Sequence, residues 1–329
     1  MAVYTVTSGT LNNTLTFFNT LMSELTNGNG VHWFTRFQGD VNTSSETIVV
    51  LESQSAVDLL LTTDPTQKYY LIFRGTKAIP DPTLTGVPFS TLTVAICTNE
   101  QFTASSTAVT VSASAPVYTV FNNTNRPTTA DEFTYRLSLT SRGFALGLWK
   151  NASANILANN FFLVIQRPVN PTNGEPKING KAPIFYLVHQ VTNLTAYFDW
   201  GIVRETDRNN TNSMGTTNLT DTNAYLFGKI SMEWPQPNLF DNNSHVVKFP
   251  FGFATSRSLY MEEMDLMCLA SSASFSVGQD INITMYGEST ARKYVSAWGS
   301  MRYGSIGDSV STTVPNIISG ARIGILAVG

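Results

Sequence analysis

"FFLVIQRPVNPTNGEPKINGKAPIFYLV" spans Phe161 to Val188. Two apolar runs, "FFLVIQRPV" and "APIFYLV", flank a stretch of Pro, Asn, Gly and Lys. Each run is short, rich in β-branched and aromatic residues, and bounded by turn residues, which predicts two buried strands. The connection "NPTNGEPKING" is about a dozen residues long and exceeds a usual hairpin loop. Loops of that kind are exposed and often make contacts.

The same pattern extends outward in both directions. "FTYRLSLTSRGFALGLWKN" alternates about a turn near Ser141 to Gly143, and "AYFDWGIVRET" and "AYLFGKISM" follow downstream. Upstream, "HWFTRF", "ETIVVLES" and "KYYLIFRGT" read as strands. "FSTLTVAICTN" fits a strand or a short helix edge, and "STAVTVSASAPVYTVFNNTNRP" one or two strands followed by a polar stretch. "SAVDLLLTTDP" is ambiguous and ends at Pro65, while "IPDPTLTGVP" is a loop by its Pro and Gly content. One segment has helical spacing. In "SGTLNNTLTFFNTLMSELT", residues Leu11, Leu15, Phe18, Leu21, Met22 and Leu25 recur every three or four positions. Ser8 or Thr10 is placed to cap that helix, and "NGNG" from Asn27 to Gly30 stops it.

Toward the C-terminus, "SLYMEEMDLMCLASSASF" supports two readings: Tyr260, Met264 and Met267 suit a helix, whereas Glu262, Glu263 and Asp265 suit the rim of a strand. "INITMYGEST" is a strand running into a turn. The final "ARIGILAVG" is an apolar strand that needs a dock, inside the protein or on a partner. The expected fold is mainly β with a few helices (α+β). It is an antiparallel β-sandwich or partly closed barrel with an N-terminal amphipathic helix. The expected division is an N-terminal α+β domain, 1–125, and a C-terminal β-rich domain, 126–329. The latter carries a long polar loop at 206–223, where "TDRNNTNSMGTTNLTDTN" is rich in Asn and Thr. No period of 20 to 50 residues marks a repeat architecture.

Of the 329 residues, 42% are hydrophobic and 13% charged, against about 25% charged in an average soluble domain. Thr, Asn and Ser fill the difference. Such a surface suits faces that end against neighbours, because uncharged polar groups cost less to bury than charges; a β protein with a Thr-rich solvent face has the same composition. The formal net charge is −3, and no Lys/Arg cluster tracks a phosphate backbone, so nucleic acid is not expected as the main partner. No uninterrupted apolar window reaches the length of a membrane span. The N-terminal stretch has neither a basic n-region nor an apolar h-region, so no secretory signal is expected. The Asn-x-Ser/Thr triplets at Asn42, Asn151, Asn193, Asn218 and Asn282 then follow from an Asn/Thr-rich composition.

The chain offers little that looks catalytic. His32, His189 and His245 have no metal-ligand spacing, and Cys97 and Cys268 lack a CxxC partner. Both cysteines sit in apolar contexts and read as buried free thiols. No G-x-S-x-G elbow, Walker loop or dinucleotide fingerprint occurs, and "GSMRYGSIG" reads as turns. Glu262, Glu263 and Asp265 form the densest carboxylate group. A cation site or a glycosidase pair stands beside the simpler reading of a solvated or interface-facing charge set partnered by Arg257, Arg292 or Lys293. Trp33, Trp149 and Trp200 lie in strand patterns, where core packing is the ordinary role. Trp234 and Trp298 adjoin turns and are better placed to stack on a sugar. The expectation is no catalytic, cofactor-binding or metal residues, and no cofactor.

"TSRGFALGLWKN", "FFLVIQRPVNPTNGEPKINGKAPIF" and "FPFGFATSRSLYMEEMDLMCLASSASFSVGQDINITMYGESTARKY" resemble a family of virion structural proteins from tailed bacteriophages. Gln166-Arg167-Pro168-Val169, "YMEEMD" and "YGESTARKY" (Tyr286 to Tyr294) carry most of the resemblance, which covers most of residues 130 to 329. It implies a particle component without catalytic activity at the neck or collar, tail or baseplate. The implied partners are other virion proteins and further copies of itself in a ring or other symmetric assembly. The Asn/Thr loop and the apolar C-terminus would contact neighbouring subunits. The implied location is the virion, with assembly in the bacterial host cytoplasm, which agrees with unpaired cysteines. Two other readings remain open: a glycan-binding virion protein such as a fibre base or decoration, and a tail-associated glycan hydrolase using Glu262 or Glu263.

Overall fold

A computed structural model describes residues 5–27, 33–41, 45–53, 70–78, 87–97, 101–105, 108–140, 143–150, 160–166, 184–192, 195–203, 224–226, 246–255, 258–270, 280–283, 292–299 and 322–328. They form antiparallel sheets with one helix among the described residues. In chain order the first elements are β1 (Thr5–Leu11), α1 (Thr14–Asn27), β2 (Trp33–Val41), β3 (Glu46–Ser53), β4 (Tyr70–Lys77) and β5 (Phe89–Cys97). Then come β6 (Phe102–Ala104), β7 (Val109–Val111), β8 (Val117–Phe121), β9 (Phe133–Thr140), β10 (Gly143–Lys150) and β11 (Asn160–Gln166). The last are β12 (Ile184–Thr192), β13 (Thr195–Val203), β14 (Ala224–Leu226), β15 (Val246–Thr255), β16 (Ser258–Ala270), β17 (Asp280–Ile283), β18 (Arg292–Gly299) and β19 (Arg322–Val328).

The opening stretch forms β11 and β12, antiparallel neighbours paired from Phe161↔Gln190 to Gln166↔Phe185. The connection "NPTNGEPKING" lies outside the described residues. The two strands belong to a six-stranded sheet ordered β1-β9-β10-β11-β12-β13, a meander with the N-terminal strand added at one edge. β9 and β10 pair from Thr140↔Gly143 outward. Gly143 has φ +152°, and a Cβ there would run into the Ile165 carbonyl oxygen. Only glycine fits that combination of positive φ and close backbone approach.

The helix begins later than its sequence pattern predicts. Residues 5–11 are a strand, paired with β9 over the whole span from Thr5↔Leu139 to Leu11↔Phe133. Ser8 and Thr10 therefore belong to β1, and neither caps the helix. Asn13 is the cap instead: its Oδ1 accepts from Leu15 N at 2.9 Å and Thr16 N at 3.3 Å. Asparagine at this position satisfies backbone donors that have no partner inside the helix. A seven-residue ladder outweighs the helical spacing of Leu11 because pairing with β9 satisfies the backbone as well as a helix would. The β1–β9 pairing also joins residues on either side of position 125.

The second sheet is five-stranded, ordered β2-β3-β4-β5-β8. "FSTLTVAIC" is a full strand within it, and "STAVTVSASAPVYTVF" supplies two strands, β7 and β8. One face of this sheet presents Val49, Leu51, Leu71, Phe73, Leu92, Val94 and Ile96 to a continuous buried cluster. The same cluster takes Phe17, Phe18, Leu21, Met22 and Leu25 from α1, and Leu137, Phe144, Leu146, Leu163, Ile165 and Val188 from the six-stranded sheet. Burial of apolar side chains from both sheets and the helix in one body is the main stabilising term, about 1.5–3 kcal/mol for each large side chain. Aromatic contacts lock the helix in place: Phe18 meets Phe89 edge-on at 5.2 Å and Phe17 meets Tyr135 at 5.8 Å.

Every position of β10 from Gly143 to Trp149 is buried. Such a run belongs to a strand covered on both faces. The second face of the six-stranded sheet buries Ser138, Ala145, Phe162 and Val164. Its strands β9, β10 and β11 contact β16, β18 and β19 of a third sheet, ordered β14-β15-β16-β19-β18-β17. "SLYMEEMDLMCLA" is thus a long strand, β16, which settles the two readings of that segment in favour of the strand. It pairs with β15 through a register shift at Lys248/Phe249. The C-terminal strand β19 docks inside the chain, between β16 and β18.

Candidate functional site

The carboxylates singled out in the sequence lie on β16. Glu262 pairs with Phe251 and Glu263 with Pro250, just before the register shift. Consecutive strand positions belong to alternate faces of a sheet, so Glu262 and Glu263 do not share one. Arg292 and Lys293 open β18, and β19 intervenes between that strand and β16. Arg257 lies outside the described residues. Sequence proximity therefore does not put Glu262 and Glu263 on one face, nor Arg292 or Lys293 on a strand adjacent to β16; Asp265 falls in the irregular stretch between Met264 and Cys268.

Other marked residues are placed as follows. His189 is on β12, between Phe162 of β11 and Phe198 of β13. His32, His245, Trp234 and the loop 206–223 lie outside the described residues. Trp149 is buried on β10, in the core role its pattern predicts. Trp33, Trp200 and Trp298 are on β2, β13 and β18. Asn282 is exposed on β17. Cys268 is on β16, opposite Lys248 and Gly324. Among the described residues no three His, Cys, Asp or Glu side chains gather as a metal set. No helix among them is long and apolar enough to cross a membrane.

The structure adds a polar row that the sequence does not announce. Glu52, Tyr70 and Cys97 are cross-strand neighbours on β3, β4 and β5. All three are buried, Glu52 at 2% exposure. The cue in sequence is the alternation of β3, which puts Glu52 on the face of Ile48 and Val50 and opposite that of Val49 and Leu51. Cys97 is a free thiol, and burial pushes it up to about 12. At neutral pH it is protonated and a poor nucleophile. Tyr135 is also shifted upward, first by burial and then by the charge of Glu24.

Two ion pairs fix local geometry. Arg74 Nη1 meets Glu46 Oε2 at 3.2 Å, and its Nη2 donates to the Val109 carbonyl at 3.1 Å. Lys150 Nζ meets Asp131 Oδ1 at 2.8 Å. Both pairs are partly exposed and each is worth little on its own.

The exposed surface is more informative than the interior. Around α1 it shows Thr10, Asn12, Thr16, Asn19 and Ser23; near β6 and β7, Thr103, Ser105, Thr110, Ser112 and Ser114; after β8, Asn123, Thr124 and Thr129. Glu132 is exposed as well, and Glu24, Lys77, Arg126, Asp131 and Lys150 are partly exposed. At these positions the low charge content of the chain appears as exposed hydroxyls and amides. No family model, curated protein or solved structure matches this chain.

Proposed function

We propose that this chain is a structural subunit of a tailed bacteriophage particle. It assembles through protein–protein contacts at the neck or collar, tail or baseplate, without turnover of a substrate. The observation that carries the reading is the low charge content of the chain, 13% of residues, together with the hydroxyl and amide groups exposed around α1 and β6 to β8. Hydroxyl and amide groups are desolvated at lower cost than charges when another subunit covers them, and they re-form hydrogen bonds across the interface. The resemblance of most of residues 130 to 329 to virion structural proteins supports the same reading. In this reading the five-stranded and six-stranded sheets, sharing one buried cluster, form a β-sandwich-type body. That body presents a rigid surface to neighbouring virion proteins and to copies of itself.

Immunogold labelling of intact and fractionated particles tests the proposal, using an antibody that recognises the folded protein. Label at one fixed station of the particle is the expected result. Particles without label overturn it. Saturable binding of host-surface glycans, lost in Trp298→Ala, would favour the fibre-base or decoration alternative.

A further inference from the structure

We propose that the β6–β7 hairpin is a flap that swings off the outer face of the five-stranded sheet while the rest of the molecule stays folded. The buried apolar residues of that sheet divide into two clusters. The larger lies on the helix side; the smaller lies on the opposite face and comprises Ile48, Val50, Tyr70, Ile72, Ala95 and Cys97, together with Val109 and Ala115. The hairpin covers this smaller cluster. Val109 is its fully buried side chain, while Phe102, Ala108 and Val111 are only partly buried. A two-stranded ribbon has little stability of its own, so what keeps it closed is its contact with the sheet. Those contacts include the Tyr70–Phe102 ring pair at 4.8 Å and the Arg74 hydrogen bond to the Val109 carbonyl, with Glu46 holding the guanidinium.

The base of the hairpin is built to stay in place as the flap moves. Ser112 N donates to the Gln101 carbonyl at 2.7 Å and Ile96 N to the Pro116 carbonyl at 3.1 Å. The Ser112-Ala113-Ser114 turn between these bonds is itself held, by Ala115 N donating to the Ser112 carbonyl at 3.0 Å and by the Ser112–Ser114 hydroxyl contact at 2.9 Å, so the fixed base includes this turn and the moving part is β6 and β7. Opening exposes one small apolar cluster and leaves the helix-side cluster whole, so it costs less than global unfolding. It uncovers Cys97, which is otherwise inaccessible.

N-ethylmaleimide labelling of the native full-length protein, resolved by peptide mass spectrometry, reads Cys97 directly. The expected result is labelling with a weak urea dependence, well below that of global unfolding. Amides of Val109 to Val111 should exchange ahead of those of Leu71 to Phe73. Arg74→Ala should speed Cys97 labelling roughly tenfold or more, as loss of a charge-assisted hydrogen bond implies, with little change in the global midpoint. Labelling and hairpin exchange that share the full urea dependence of global unfolding in the wild-type protein overturn the proposal, whatever the variant does.

Discussion

Asn13, Gly143 and Cys97 show how single residues set local structure. Asn13 bridges β1 and α1 by accepting from two backbone amides. Asn13→Ala should lower the unfolding free energy by about 1 kcal/mol in urea denaturation, the usual loss for a removed cap. Gly143→Ala should cost more, because it combines a positive φ with a collision against the Ile165 carbonyl; a loss of about 2 kcal/mol or more is expected. Cys97 makes a pH prediction. Its folded value near 12 lies above the ordinary 9.0, so below pH 9 the thiol is neutral in both states and the stability contribution is complete. Between 9 and 12 the unfolded chain releases the proton and the native chain keeps it. Stability then falls by up to about 1.4 kcal/mol per pH unit. Denaturation curves at pH 8 and pH 10.5 should therefore converge for Cys97→Ala more than for the wild-type protein.

The elements show where sequence pattern is sufficient and where partners decide. β3 and β4 were legible because β-branched and aromatic residues fill short runs bounded by turns, whereas β5 also fitted a short helix edge until its pairing with β4 and β8 was seen. The β9–β10 hairpin was legible because its alternation reverses about a glycine turn. The start of α1 was not, since Leu11 and Leu15 keep helical spacing across a boundary set by pairing with β9, more than a hundred residues away. β16 was ambiguous for the same kind of reason: its strand state is fixed by β15 and β19 on either side. Glu52 was overlooked because a lone acid in an apolar run looks like a surface residue until both faces of the sheet are seen to be covered. The docking of β19 between β16 and β18 leads to an element-scale prediction. Deleting Ile325 to Gly329 should abolish cooperative unfolding of the sheet it completes, because β16 and β18 then lose the strand between them. A truncated protein that melts cooperatively at the wild-type temperature in calorimetry would contradict that placement.

At the scale of the molecule, composition and surface tell one story. The 13% charged content goes with exposed Thr, Ser and Asn around α1 and β6 to β8, while two sheets and a helix share one buried cluster. Contacts made by such a surface depend little on ionic strength, since screening acts on charges. The candidate catalytic groups were visible in sequence only as a list; β16 places Glu262 and Glu263 on alternate faces, which no spacing rule could decide before the strand was known. The measurement that tests the account most directly is quantitative mass spectrometry of purified particles before and after a high-salt wash. A fixed copy number retained through the wash is the predicted result. Absence from the particles, or a trace amount removed by salt, would contradict the assignment of this chain as a structural subunit.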